Sequence, residues 1–220
     1  MRGRITGKKP QYHPGEKIEL TPRQAFEIAV GAILTQNTAW TNVEKALNEL
    51  NRRNLIDPCK ILSTRYSALS TFIRSSGYFT QKAKKLKVLA RFVEQEADGN
   101  MLNLKKNSTE SLRSKFLALW GVGPETADSI LLYALTKPVF VVDAYTRRIG
   151  GRLGWPFKKK TYDEIRLFFE RLLPGEPHLY QEFHALLVEL AKRHCLKSDP
   201  ACFSCPLKSI CVYGTRRRLE

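Results

Sequence analysis

The sequence predicts an all-α fold, and three observations carry that prediction. Apolar residues recur at helical spacing along most of the chain, and capping residues with Pro or a capping box open its segments. Only one run, Val139-Phe140-Val141-Val142, is strand-like, and four residues between helices fit a buried extended connector better than a sheet. The 220 residues suit one large domain or two small ones, and no internal repeat or low-complexity linker interrupts them.

The elements follow in order. Thr21-Pro22-Arg23-Gln24 opens a helix with a capping Thr, a Pro at the first helical position and a Gln that closes the box. Phe26, Ile28, Ala29, Ile33 and Leu34 make that helix apolar nearly all round, as a central buried helix would be. Helices are expected from Asn42 to Leu50, from Asp57-Pro58, and from Ser67 to Ser76 with a stop at Gly77. From Thr80 to Asp98, Ala83, Leu86, Ala90 and Val93 mark a buried stripe, Gly99 a stop, and Lys82, Lys84, Lys85, Lys87 and Arg91 a polar side. A stretch with Leu112, Phe116 and Leu117 precedes a helix starting at Pro124. Another helix is read over Ala144 to Leu153, and Thr161-Tyr162-Asp163-Glu164 caps one that presents Ile165, Phe168, Phe169 and Leu172.

Charge speaks about partners. With 37 Lys and Arg against 21 Asp and Glu, the formal charge is +16, which favours a polyanion, either nucleic acid or an anionic membrane surface. The membrane is the poorer reading. No run approaches the ~18 apolar residues of a span, and no helix pairs a large exposed apolar face with a basic one. Met1-Arg2-Gly3-Arg4 is not followed by an apolar secretory core, so a cytoplasmic, nucleoid-associated protein is expected.

Cys195, Cys202, Cys205 and Cys211 stand in the pattern C-x6-C-x2-C-x5-C, with Cys59 apart. In a reducing compartment such clustering means metal or redox chemistry before disulfides. Four soft thiolates on a short loop can enclose a tetrahedral zinc or an iron–sulfur cluster. Structural zinc usually takes two separated pairs. A single C-x2-C flanked by two longer spacings favours a [4Fe–4S] cluster. Cys59, near a helix start, reads as an ordinary half-buried residue.

Leu119-Trp120-Gly121-Val122-Gly123 lies between two helical stretches. A G-x-G turn that opens a helix offers free N–H groups at a positive helix end, where a phosphate is stabilised, although the same pattern also serves as a plain tight turn. Asp143 follows the run Val139–Val142 and precedes the next helix. There it reads as an N-cap, and equally as an ionised carboxylate able to activate water or stabilise a developing positive charge.

Hairpin, aspartate and cysteine spacing together resemble the helix-hairpin-helix DNA glycosylases, in their endonuclease III branch, over nearly the whole chain. The resemblance implies a six-helix barrel over residues 21–136 and an iron–sulfur domain built from residues 1–20 and 137–220, with a DNA groove between them. It further implies that a monomer binds damaged double-stranded DNA through Gly121, Val122, Gly123 and Thr126 and turns the target nucleotide toward Asp143. Bifunctional members carry a lysine two residues after the hairpin that forms a Schiff base with the sugar. Glu125 stands there, and a carboxylate cannot form that imine. The expectation is therefore a monofunctional glycosylase that leaves an abasic site with the strand intact.

Within the superfamily the chain is most similar to the 3-methyladenine DNA glycosylase III group. The similar segments are Gly31-Ala32-Ile33-Leu34-Thr35-Gln36-Asn37-Thr38, Ser76-Gly77-Tyr78-Phe79-Thr80-Gln81-Lys82-Ala83-Lys84, Glu125-Thr126-Ala127-Asp128 and Phe183-His184. By that resemblance Trp40 stacks on the flipped base, Gln36 fills the gap left in the duplex, and Tyr78 is a wedge on the opposite strand. Glu125 would border the pocket, whose wall is Tyr12-His13-Pro14 where the group has Trp-Trp-Pro, and Leu186 matches a lysine of some members. An alkylated purine is the favoured substrate, with oxidised pyrimidines, deaminated bases or mispaired thymine as alternatives. A non-catalytic DNA-binding module, in which Asp143 only caps a helix, is the reading from another class.

Overall fold

The computed structural model describes residues 19–216. Helices account for the regular structure, and no strand occurs among the described residues. The chain divides into two compact units, one up to Pro138 and one from Val139. Tyr12 and His13, and the N-terminal segment assigned to the cluster domain, lie outside the described residues.

The first unit contains α1 (Pro22–Leu34), α2 (Trp40–Arg52), α3 (Pro58–Ser63), α4 (Tyr66–Phe72), α5 (Phe79–Ala97), α6 (Thr109–Leu117) and α7 (Pro124–Ser129). The Thr21 capping box forms as its residues dictate, with Thr21 Oγ1 accepting from the Gln24 N–H and Gln24 Oε1 accepting from the Thr21 N–H. Phe26, Ala29, Val30, Ile33 and Leu34 bury α1, which is the centre of this unit's core. The stretch expected as one helix up to Ser76 splits in two: α4 ends at Phe72, and a tighter 3₁₀ turn covers Arg74–Ser76. That turn delivers the chain to Gly77 (φ +68°) and Tyr78 (φ +43°), both left-handed.

Helix α5 departs from its expected amphipathicity. Lys82 is not on the polar side: it is 2% exposed, and its Nζ donates to Leu34 O at 2.8 Å and Ser76 O at 2.6 Å. Lys87 Nζ likewise reaches Ile61 O, Leu62 O and Thr64 O at 3.0, 2.8 and 2.6 Å. A long aliphatic stem lets each ammonium cross apolar surface to carbonyls that helix ends leave unpaired. Cys59, expected half-buried, is exposed.

The second unit contains α8 (Ala144–Leu153), α9 (Tyr162–Leu172), α10 (Pro177–Arg193) and α11 (Val212–Arg216). Val139–Val142 is a buried, extended connector without a sheet partner. Its Phe140 stacks on Phe169 at 4.1 Å between ring centroids and meets Tyr180 and Phe183 edge-on, so an aromatic cluster holds the segment that leads into Asp143.

Candidate active site and DNA-contact elements

The hairpin between α6 and α7 is fixed from beneath. Arg113 of α6 makes a two-pronged ion pair with Asp128 of α7, Nε to Oδ1 at 2.7 Å and Nη2 to Oδ2 at 3.2 Å. The Asp128 side chain is fully buried. Helix α7 continues into a π-helical turn, Ile130–Ala134. Gly121 has φ +82°, and a Cβ there would meet the Lys85 side chain at 2.5 Å, so two constraints demand glycine. Gly123 is different: its φ is −95°, and nothing lies within 4 Å of where a Cβ would go. The space beside it is open to a phosphate.

Gln36 belongs to this hairpin. Its Nε2 donates to Gly121 O at 3.1 Å and to Thr126 Oγ1 at 2.9 Å, and its Oε1 accepts from Lys85 Nζ. Thr126 and Val122 are both buried. Glu125 is exposed in the first turn of α7, where the helix dipole favours a carboxylate. Trp120 is 49% exposed, with Lys84 Nζ 4.5 Å from its ring centroid. Trp40, the first residue of α2, is half-buried, and its Nε1 is buried without a hydrogen-bond partner among the described residues. Tyr78 is 68% exposed.

Asp143 caps α8. Its Oδ1 accepts from the Thr146 N–H at 2.7 Å and from Thr146 Oγ1 at 2.9 Å. Its Oδ2 faces His184 Nε2 of α10 at 3.5 Å, and His184 is 3% exposed. Burial pushes the Asp143 carboxyl up, but the His184 contact and the two Thr146 donors outweigh it and hold the group below its ordinary value. The carboxylate is therefore ionised, with one oxygen engaged in capping and the other turned to the imidazole. The sequence singled out Asp143; the 41-residue separation hid its neighbour His184.

The four cysteines of the tail are each half-buried. Helix α8 organises their loop: Arg148 Nε donates to Cys195 O at 2.9 Å, Arg152 Nη1 to Cys195 Sγ at 3.3 Å and to Leu196 O at 2.6 Å, and Cys211 Sγ lies 3.3 Å from Arg152 O. Burial pushes the Cys205 thiol up, a bond from the Leu207 backbone lowers it, and charge on Cys195, Cys211 and Cys202 raises it, so each of those three sulfurs lies within electrostatic range of Cys205. No group of three or more His, Cys, Asp or Glu among the described residues closes on a single metal ion. Nor is any helix among them long and apolar enough to cross a membrane.

A family model for the HhH-GPD superfamily of base excision DNA repair proteins matches residues 30–175. The chain belongs to this superfamily. A provisionally named DNA repair glycosylase of Methanocaldococcus jannaschii is 46% identical over 189 residues, 85% of each chain. Endonuclease III of Thermotoga maritima is 31% identical over 192 residues, 87% of this chain and 84% of that one, in keeping with the endonuclease III branch. Among solved structures, the H. pylori 3-methyladenine DNA glycosylase bound to 1,N6-ethenoadenine superposes with a TM-score of 0.68 at 34% identity, over 76% of this chain and 84% of that one. The HhH-GPD assignment gives the hairpin and Asp143 a common context, that of a DNA glycosylase of base excision repair.

Proposed function

We propose that this DNA glycosylase is monofunctional and releases alkylated purines from double-stranded DNA, acting as a monomer and leaving an abasic site. The observation that carries the proposal is the state of Asp143: half-buried, ionised, and with only one of its oxygens engaged in capping. Such a carboxylate stabilises positive charge developing on the sugar as the glycosidic bond lengthens, and it orients the water that replaces the base. His184 holds Oδ2 on its own side of the carboxylate. Gly121, Val122 and Gly123, with the N-terminal turn of α7, bind a phosphodiester next to the extruded nucleotide.

Trp40 receives the base. A cationic N-alkylated purine over an indole face gains about 0.5–2 kcal/mol. N-alkylation also weakens the glycosidic bond, which suits a site that works by one carboxylate. Glu125 supplies no amine for an imine, so the strand stays intact.

Cys195, Cys202, Cys205 and Cys211 form an all-thiolate donor set of the kind that holds a [4Fe–4S] cluster. Those four thiolates would hold the group, which would serve to order the loop, since hydrolysis of the glycosidic bond requires no electrons from it. Arg152, donating to Cys195 Sγ, offsets the negative charge of such a centre, and Lys197 and Lys208 of the same loop are available to phosphates.

The test is a set of duplexes carrying single defined lesions, incubated with the protein and analysed with and without alkali. Breaks at an alkylated purine only after alkali are expected. Breaks without alkali, or release confined to oxidised pyrimidines or mispaired thymine, would overturn the proposal.

A further inference from the structure

Four exposed non-glycine residues of the described first unit stand on left-handed backbone, Asn37, Asn54, Tyr78 and Asp98, and two of them sit beside turns that one buried side chain ties together. Asn37, just beyond α1, has φ +53°, and Tyr78, just before α5, has φ +43°. Asparagine tolerates this region, but a bulky aromatic residue is strained there, and an aromatic ring left in water adds nothing to a core. Stability of the first unit therefore does not account for the way Tyr78 is displayed.

Lys82 is what holds both turns. Its Nζ donates to Leu34 O, at the end of α1 three residues before Asn37, and to Ser76 O, two residues before Tyr78. Its own N–H donates to Tyr78 O at 2.9 Å. A buried lysine is a costly way to satisfy two carbonyls: burial and the charge of Lys85 bring its ammonium down to about 8. Gln36, between the two anchor points, is committed to Gly121, Thr126 and Lys85. That leaves Asn37 as the outward side chain of its turn and ties the turn to the hairpin.

We infer that Lys82 is a positioning residue, fixing Asn37 and Tyr78 in register with the hairpin so that both side chains enter the duplex when the target nucleotide leaves it. This rests on the base-flipping reading above, but its test reads unstacking and not base release.

Full-length Lys82→Met, Lys82→Arg and Lys87→Met proteins are compared on a duplex with 2-aminopurine beside an abasic-site analogue, at a temperature where circular dichroism shows each folded. Lys87→Met removes an ammonium clamp of the same kind from α3, so it controls for a merely structural loss. The fluorescence rise on binding should fall about tenfold or more in Lys82→Met. It should stay near wild type in Lys87→Met and recover in Lys82→Arg, while affinity for undamaged duplex is unchanged within about twofold. Should Lys82→Met not fold, Lys82→Gln, whose shorter, uncharged side chain cannot reach as far as the ammonium does, must show the same loss. A wild-type rise in the folded Lys82 variant, or an equal fall in Lys87→Met, overturns the inference. A wild-type protein that binds without unstacking the duplex removes the base-flipping reading and this inference together. Unstacking that depends on Lys82 without release of any base removes the catalytic reading alone.

Discussion

Asp143→Asn separates the two duties of this carboxyl group. Asparagine caps helices as well as aspartate does, and its Oδ1 can keep the Thr146 N–H bond now at 2.7 Å. The charge is what disappears. A carboxylate about 4 Å from a cationic sugar, at an effective dielectric constant of about 20, stabilises it by about 4 kcal/mol. At about 1.4 kcal/mol per decade, that is roughly a thousandfold in rate. The folded state loses the carboxylate contact with His184 but also a half-buried charge, so the net change in stability should stay within about 1 kcal/mol. Single-turnover base release from an alkylated duplex, read after alkali, should fall about a thousandfold, with the urea midpoint and duplex affinity near wild type. A variant that retains release within about tenfold would show that Asp143 only caps α8. A variant that loses release together with several kcal/mol of stability would show that the loss lies in folding and not in chemistry.

Other perturbations probe the remaining parts. Arg113→Met should cost several kcal/mol in urea unfolding, because it removes the two-pronged ion pair of the buried Asp128 carboxylate beneath the hairpin; a loss under about 1 kcal/mol would mean that the pair does not brace α6 against α7. Cys202→Ala should abolish brown colour and lower iron and acid-labile sulfide from about four of each per chain, whereas one zinc per wild-type chain would refute the cluster. Glu125→Lys should produce a borohydride-trapped covalent adduct with abasic DNA that the wild type does not form; equal trapping in both would place an imine-forming lysine elsewhere. Lys82 gives a pH signature. Its folded value is about 8 against an ordinary 10.5, so below pH 8 both states carry the charge and its burial cost is felt in full. As pH rises from about 8 to 10.5 the folded state sheds the proton first and the cost is relieved. Wild-type stability should therefore gain on Lys82→Met across that window, by about 3 kcal/mol at about 1.4 kcal/mol per unit; a difference that is flat with pH would refute the buried-ammonium account.

Local signals were legible in the sequence, and signals that depend on tertiary contact were not. Thr21 and Thr161 announced α1 and α9 because a capping box is complete within four residues. Asp143 and the glycine turn were found because their geometry is also short-range. Helix α10 carries no such signal: its cap residue, Glu176, makes no side-chain bond to the helix, and no glycine ends it. Helix α2 begins at Trp40, two residues before the expected start, because its cap is Ala39, which has no side-chain acceptor. Lys82 was misread because helical periodicity assigns a lysine to solvent, and only the folded chain shows two carbonyls waiting on the buried side. The contact of His184 with Asp143 and the hold of the α8 arginines on the cysteine loop are likewise invisible in any window, since these partners lie 41 to 47 residues apart.

The disposition of lysines bears on strand cleavage. A nucleophilic lysine needs a neutral amine, which burial favours, and it also needs that amine to face the sugar. In the first unit the two lysines whose ammonium groups are shifted down are Lys82 and Lys87, and both are committed to carbonyl oxygens at helix or turn ends. Lys85 donates to Gln36, and Lys84 lies over Trp120. The amines that burial has made more nucleophilic thus serve to lock the elements beside the hairpin, while the position that would place a lysine at the sugar holds a carboxylate. Both features agree with the proposed monofunctional reading, in which the basic charge positions DNA and Asp143 acts on the glycosidic bond; the Glu125→Lys trapping experiment tests it.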